Sequence, residues 1–383
     1  MKRAWMFGWS LLALVFLAFL VRTFFLGIYY IDSPSMEPTL HGAERGGDWV
    51  LLAYGGAKDL RRYDLVALLP EGESEAFVKR VVGLPGESVV LRGGDLWIDG
   101  HMARPEPPVP ALVPIFDDDL HDLEIAFSMQ PLWQRVAGGW QLAADGVPAG
   151  SDAGLMFMRL GLEDHHLDSD GALVQGREAV ADALLECSVM FEEPGIVLRL
   201  GLVEQGDRFE ALLDTGASPR ARLRLERRNA SGSEVLAELE VDLPPGSHDL
   251  RFGNLDDRLS FTLDGALVLT ATYEGNQLWP ADTAKRGISQ PTDRVFLGGV
   301  TGRAVFSGIR VFRDLHYTAR GQYATDGPLL LGPDEIFVLG DNSRDSRDGR
   351  DWGETPLRTV IGRPVAVLWP LSRARSISRP QRP

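Results

Sequence analysis

Cysteine is almost missing from this chain: Cys187 is the single one in 383 residues, which excludes an internal disulfide and any zinc or iron–sulfur site built on several cysteines. A lone cysteine is most often a small buried apolar residue. Extracytoplasmic proteins also exist without disulfides, so the count leaves the compartment open. Cations are in short supply, with 39 Lys and Arg against 54 Asp and Glu and a net charge of −15. Binding a nucleic-acid backbone needs clustered Lys and Arg to displace counterions, so no nucleic-acid partner is expected. Nor is there a compositional case for long disorder, since 44% of residues are hydrophobic and 24% charged.

The length exceeds the usual domain of roughly 100 to 200 residues, which points to two folded units plus an anchor. Ala4 to Val21 runs eighteen residues without a charge, about 27 Å as helix and close to a bilayer's hydrocarbon core. Arg22 near its end can snorkel to the headgroups, and Tyr29 and Tyr30 suit the interface beyond. Lys2 and Arg3 precede the run, so the positive-inside rule places the N-terminus in the cytoplasm and the remainder across a cell membrane in a single pass. A cleaved signal would end in small residues of the A-x-A kind. Here the run passes into Leu26-Gly27-Ile28-Tyr29-Tyr30-Ile31 instead, which favours an uncleaved anchor.

Three blocks follow the anchor. The first is Ser33-Pro34-Ser35-Met36-Glu37-Pro38-Thr39, which alone reads as a loop. The second, Phe77-Val78-Lys79-Arg80-Val81-Val82-Gly83-Leu84-Pro85-Gly86, follows a strand-like stretch at Asp64–Leu69 and sets a lysine among apolar residues. A lysine in a strand ordinarily occupies a solvated edge. The third, Gly340-Asp341-Asn342 through Ser346, Asp348, Arg350, Trp352 and Gly353, is dense in charge. A serine hydroxyl is a poor nucleophile unless a neutral base takes its proton. A lysine serves only if burial lowers its pKa from about 10.4 towards 8, which costs roughly 3 kcal/mol.

Taken together, the blocks resemble the type I signal peptidases, membrane enzymes that remove signal peptides from exported preproteins. The resemblance covers about residues 1–105 and 320–370. It implies that Ser35 is the nucleophile and Lys79 the general base, and that the Ser33 hydroxyl and the Ser35 N–H form the oxyanion site. It also implies that Ser346 hydrogen-bonds the Lys79 amine, while Arg80, Asp341, Asp348 and Arg350 form a supporting ion network. Lysine rather than histidine at the base position indicates the bacterial type over that of the endoplasmic reticulum. Gly349 and Asp351 stand where the family usually has a serine and an aromatic residue, which puts the packing beside Arg350 in doubt. The family adds its substrate as a strand to a sheet edge and prefers small residues before the cut, and it uses neither metal nor cofactor. The implied partners are preproteins and membrane lipid. Arg373, Arg375, Arg379 and Arg382 in the tail are candidates for anionic lipid, or for a solvated terminus.

Between about 109 and 318 short strands alternate with turn signals, which predicts an all-β chain with an inserted β-sandwich. The expected organisation is 1–28 anchor, 29–108 first catalytic part, 109–318 insertion, and 319–383 second catalytic part with a basic tail. Val235, Ala237, Leu239, Val241 and Leu243 alternate with Leu236, Glu238, Glu240 and Asp242, as in half-buried strands. Asp264-Gly265 between two apolar alternations predicts a tight hairpin. Asp249–Phe252, this hairpin and Phe306–Val311 resemble, loosely, concanavalin-like jelly-roll modules with an unassigned ligand.

Other chemistries have weaker footing. Asp214-Thr215-Gly216 resembles an aspartic-peptidase turn, but no second such triplet exists to share a proton, and a strand end explains it. Glu163, Asp164, His165, His166, Asp168 and Asp170 crowd one loop and Asp117, Asp118, Asp119 and Asp122 another, without the spacing of a known cation loop. A soluble self-cleaving repressor would also use a Ser/Lys pair, yet the apolar run and the acidity oppose it. The remaining alternative is an anchored ligand-binding sandwich on a non-catalytic peptidase scaffold.

Overall fold

A computed structural model describes residues 25–55, 57–70, 72–104, 112–148, 151–168, 170–204, 206–216, 220–274 and 294–377. The apolar run Ala4–Val21 and the residues Arg379 and Arg382 lie outside these. Among the described residues no helix is long and apolar enough to cross a membrane. The fold is all-β with a few single-turn helices, and it forms two compact units, Met1–Ala111 with His316–Pro383, and Leu112–Leu315.

The discontinuous unit is built on an antiparallel sheet. Its strands are β1 (Leu26–Tyr30), β2 (Trp49–Tyr54), β3 (Leu65–Leu68), β4 (Phe77–Gly83), β5 (Glu335–Leu339), β6 (Thr355–Pro356) and β7 (Val360–Trp369). They lie in the order β1-β2-β7-β3-β4-β5-β6, with Arg375–Ser376 added beside β7. Interleaving of β7 between β2 and β3, and of β5 against β4, knits the two distant stretches of chain into one sheet. β-branched residues fill β4, and as an inner strand it is buried along most of its length. Val81 and Val82 are fully buried, and so, nearly, are its two cations, Lys79 and Arg80. Register sets Lys79 opposite Val66 of β3, and Arg80 opposite both Leu65 and Leu339.

The central unit is two sheets face to face. One contains Gly139–Ala143, Arg303–Arg313, Ala183–Phe191, Gly246–Leu255 and Arg258–Leu263 among its strands, and the other Ala221–Asn229, Asp207–Asp214, Val197–Glu204 and Arg294–Thr301. Alternate residues of both, including Cys187, Leu198, Leu200, Phe252, Phe261 and Leu297, interlock in one apolar core. The hairpin at Asp264-Gly265 is present, both residues having positive φ, 48° and 79°, as a two-residue turn of this twist requires.

One strand departs from its pattern. Gly232–Val241 forms, but as an edge, and a register shift opposite Leu225 and Glu226 makes Leu236 an extra residue. The shift flips the faces, so Val235 is 50% exposed, and Leu239 beyond it stays 41% exposed for want of a neighbour strand. Val241 and Leu243 are buried.

Candidate active site

Ser35 sits in a single 3-10 turn, Pro34–Met36, that follows β1. Proline starts the turn, and the next residue, Met36, is buried with Ile31, Leu40, Val50, Leu65 and Val367. That apolar plug fixes the turn against the sheet. Its other tie is to the loop after β5: Asn342 N–H donates to the Ser35 carbonyl at 3.1 Å, and Asn342 Nδ2 to that of Pro34, also at 3.1 Å. The loop approaches this closely only because residue 340 is glycine. A Cβ there would lie 2.1 Å from Ser346 Oγ and 2.5 Å from the Ser35 carbonyl oxygen.

Lys79 reaches this turn from β4. Its Nζ lies 2.7 Å from Ser35 Oγ, donating as drawn. Both residues are buried, at 2% and 8% exposure. Burial lowers the ammonium's pKa from 10.5 to about 8; Asp348 and Asp341 oppose the shift and Arg350 adds to it. At pH 7 roughly a tenth of such an amine is neutral, some 300-fold more than for a solvated lysine. In that form the hydrogen bond reverses, and the Ser35 hydroxyl donates to the amine lone pair. Ser33 Oγ stands 3.2 Å from Ser35 Oγ, at the mouth of the same turn.

The charged residues form two ion pairs. Arg80 Nε donates to Asp341 Oδ1 at 2.7 Å and its Nη2 to Oδ2, while Thr39 Oγ1 also donates to that carboxylate. Arg350 grips Asp348 through Nε and Nη2 at 2.9 and 2.8 Å. Asp348 Oδ2 further accepts the Gly340 N–H at 2.9 Å, and Asp348 caps the one-turn helix α1 (Gly349–Trp352). Buried pairs of this kind fix geometry more reliably than they stabilise.

The two departures around Arg350 fit this packing. A Cβ on Gly349 would meet the Phe337 ring at 2.7 Å and the Val338 carbonyl oxygen at 2.8 Å, so serine has no room. Asp351 closes a capping box, its carboxylate accepting the Asp348 N–H at 3.1 Å.

The sequence model of the family described as "Signal peptidase, peptidase S26" matches residues 4–114 and 308–369. The signal peptidase I of Bacillus amyloliquefaciens is 38% identical over 101 residues, 26% of this chain and 52% of that protein. Signal peptidase I S of Bacillus subtilis (strain 168) is 41% identical over 86 residues, 22% and 45% of the two chains. Over those segments this chain is similar to the signal peptidase S26 family.

It spans about half the length of the family relatives it matches. A solved carbohydrate-binding module of Bacillus subtilis is 13% identical, covers 49% of this chain and 95% of its own, and has a TM-score of 0.32. A GH43 protein of Bacillus licheniformis is 10% identical, covers 72% and 52%, and scores 0.36. Scores this low carry no weight for the function of the central unit.

Against the signal peptidase pattern, Ser346 differs. Its Oγ is buried without a hydrogen-bond partner among the described residues, and the bond to Lys79 implied by the resemblance is not formed. Lys79 is bonded to Ser35, and the Ser346 hydroxyl is packed against Gly340. The tail also differs: Arg373 donates to Asp48 Oδ1 at 2.7 Å and to the Gly46 carbonyl at 2.6 Å, and Arg375 to the Thr39 carbonyl. These two cations are tied to the loop that carries the nucleophile turn.

Thr39, Ser343 and Thr318 took part in no sequence motif reading beyond Thr39's place in the first block. Ser343 and Thr318 are recognisable only from their contacts with Arg350. The remaining candidates are accounted for locally. Asp214 accepts the Gly216 N–H and Thr215 Oγ1 braces Gly195 and Ile196, so this triplet holds a turn. Asp164 and Asp168 accept backbone N–H groups of their own loops. The carboxylates of Asp117, Asp118 and Asp119 do converge within 4.8 Å.

Proposed function

We propose that the chain is a membrane-anchored serine endopeptidase that removes N-terminal signal peptides from exported preproteins. The observation that carries this reading is the buried 2.7 Å contact between Ser35 Oγ and Lys79 Nζ, inside the segments that match the family. Ser35 attacks the scissile carbonyl as the neutral Lys79 takes its proton. The resulting ammonium then protonates the leaving amine, and water repeats the cycle on the acyl-enzyme. The Ser33 hydroxyl and the Ser35 N–H are aimed at the oxyanion, where loss of one donor costs about 3 to 4 kcal/mol. Arg80 with Asp341, and Arg350 with Asp348, hold the loop after β5 in register with the nucleophile turn.

In this reading Ala4–Val21 is the anchor, residues 29–108 and 319–383 the catalytic domain on the extracytoplasmic side, and 109–318 an inserted module. An apolar rim supports the membrane surface as its working place. Phe25 is 63% exposed and Ile28 48%, just past the anchor, and Trp49 and Trp369, paired across β2 and β7, are 43% and 55% exposed. Aromatic side chains of this kind favour the water–bilayer interface.

The test is incubation of the detergent-solubilised full chain with a preprotein bearing a signal peptide. A single cut after small residues is expected, and it should vanish in Ser35→Ala. Intact preprotein after long incubation with the wild type would refute the reading.

A further inference from the structure

The chain returns from the central unit through residues 314–323, and this connection ends on the catalytic loop. Thr318 is bonded there four times over, one of the bonds joining its hydroxyl to that of Ser343 at 3.1 Å. Its N–H donates to Ser343 Oγ at 2.8 Å, and its hydroxyl and its carbonyl accept from Arg350 Nη1 at 2.8 and 3.1 Å. Ser343 completes the seat, its Oγ accepting from Arg350 Nη1 and its carbonyl from Nη2 at 2.6 Å. The same strap closes over the Arg350 main chain. Gln322 and Tyr323 N–H groups donate to its carbonyl at 2.7 and 3.1 Å. Gly321, at φ +125°, lies so close that a Cβ would be 2.6 Å from Arg350 Cβ.

Arg350 is 1% exposed, and its guanidinium has one acidic partner, Asp348, also fully buried. Asp348 faces the lysine, as do Asp341 from the loop after β5 and Arg350 itself; the nucleophile turn contributes the Ser35 hydroxyl and β3 the uncharged Val66. Two carboxylates thus favour the ammonium and one guanidinium opposes it. Where Arg350 stands therefore matters to the base, and the strap decides where Arg350 stands.

We propose that Thr318 is a positioning residue for the lysine base: the connection returning from the central unit grips Arg350, and through Arg350 and Asp348 it sets the charge environment of Lys79. The kinetic consequence rests on Lys79 being the base of the proposed peptidase, whereas the protonation consequence does not.

The experiment reads Lys79 directly. The chain has four lysines, Lys2, Lys58, Lys79 and Lys285, so labelling the lysine ε-carbons with 13C gives a spectrum that Lys79→Arg assigns at once. In the full-length protein, Thr318→Val removes the hydroxyl and leaves Arg350 less firmly held. Its positive charge then counters Asp348 less well, and the Lys79 titration midpoint should rise by about half a pH unit, leaving roughly threefold less neutral amine below the midpoint. Thr318→Ser, which restores the hydroxyl, should return the midpoint to that of the wild type. Ser343→Ala should move it in the same direction as Thr318→Val, and serves if that variant does not fold. On preprotein, the acid limb of kcat/KM should move with the midpoint at unchanged KM. A midpoint unmoved in folded Thr318→Val and Ser343→Ala overturns the proposal, even if activity falls. A wild type that cleaves nothing overturns the peptidase reading, while the titration still decides the role of Thr318.

Discussion

At the level of single residues, the chemistry comes down to an amine that must be neutral to act. Lys79 is drawn down to about 8 chiefly by burial. Because the folded pKa lies below the ordinary value, the active neutral form accumulates as pH rises towards 8 and saturates above it. We therefore expect kcat/KM to climb about tenfold per pH unit below the midpoint and to level off near 8 to 9. A limb centred above 10 would mean a solvated amine, and a flat profile from pH 5 to 9 would mean that Lys79 is not the base. The lysine was legible in the sequence from its apolar neighbours, and the serine from its block. The Ser346 geometry was not. A hydroxyl's direction depends on contacts brought together across long loops, here the Gly340 approach that packs Ser346 beside Ser35. Thr318 was illegible for the same reason, lying 32 residues from the arginine it holds.

Among the elements, the decisive fit is between the nucleophile turn and the loop after β5. Gly340 permits it, and Asp348 secures it by accepting the Gly340 N–H. Gly340→Ala would push either the Ser346 side chain or the Ser35 main chain aside, and the second cannot move cheaply. A misplacement near 1 Å costs about 100-fold in rate, and overpacking about 1 to 3 kcal/mol in stability. Measured kcat/KM should fall on that order with a modest drop in the unfolding midpoint; activity within twofold of the wild type would contradict the fit described. Strand identity in this sheet was readable from β-branched runs such as that of β4. Strand order was not, because β7 enters between β2 and β3 from nearly 300 residues away. The edge strand Gly232–Val241 shows the limit of alternation as a guide. One extra residue at Leu236, the one apolar residue at a position the alternation assigns to a charged side chain, reversed the faces.

On the scale of the whole molecule, the two units keep separate accounts. Among the described residues the core of the central unit draws on residues 115–311 with their immediate packing neighbours, whereas two apolar clusters of the discontinuous unit draw on 29–84 and 336–377. Among the described residues no strand is shared between the sheets of the two. Separate cores make independent folding the physical default. Replacing about residues 115–317 by a short linker, which keeps Thr318, should leave a folded peptidase whose preprotein turnover persists while its selectivity or stability changes. Complete loss of turnover in a deletion shown to be folded by circular dichroism would mean that the insertion takes part in the chemistry. That the insertion exists at all was readable from turn spacing and from the gap between the second and third blocks. What it binds is not encoded in any pattern of that kind, since binding surfaces of sandwiches are set by side chains on a face and not by strand periodicity.

Everything above turns on one pair of side chains 2.7 Å apart. The most direct measurement is preprotein cleavage by the purified full chain beside Ser35→Ala and Lys79→Ala, each checked for native folding. Cleavage by the wild type and none by either variant is the predicted result. Processing that continues at the wild-type rate in either variant would contradict the Ser35 and Lys79 mechanism outright.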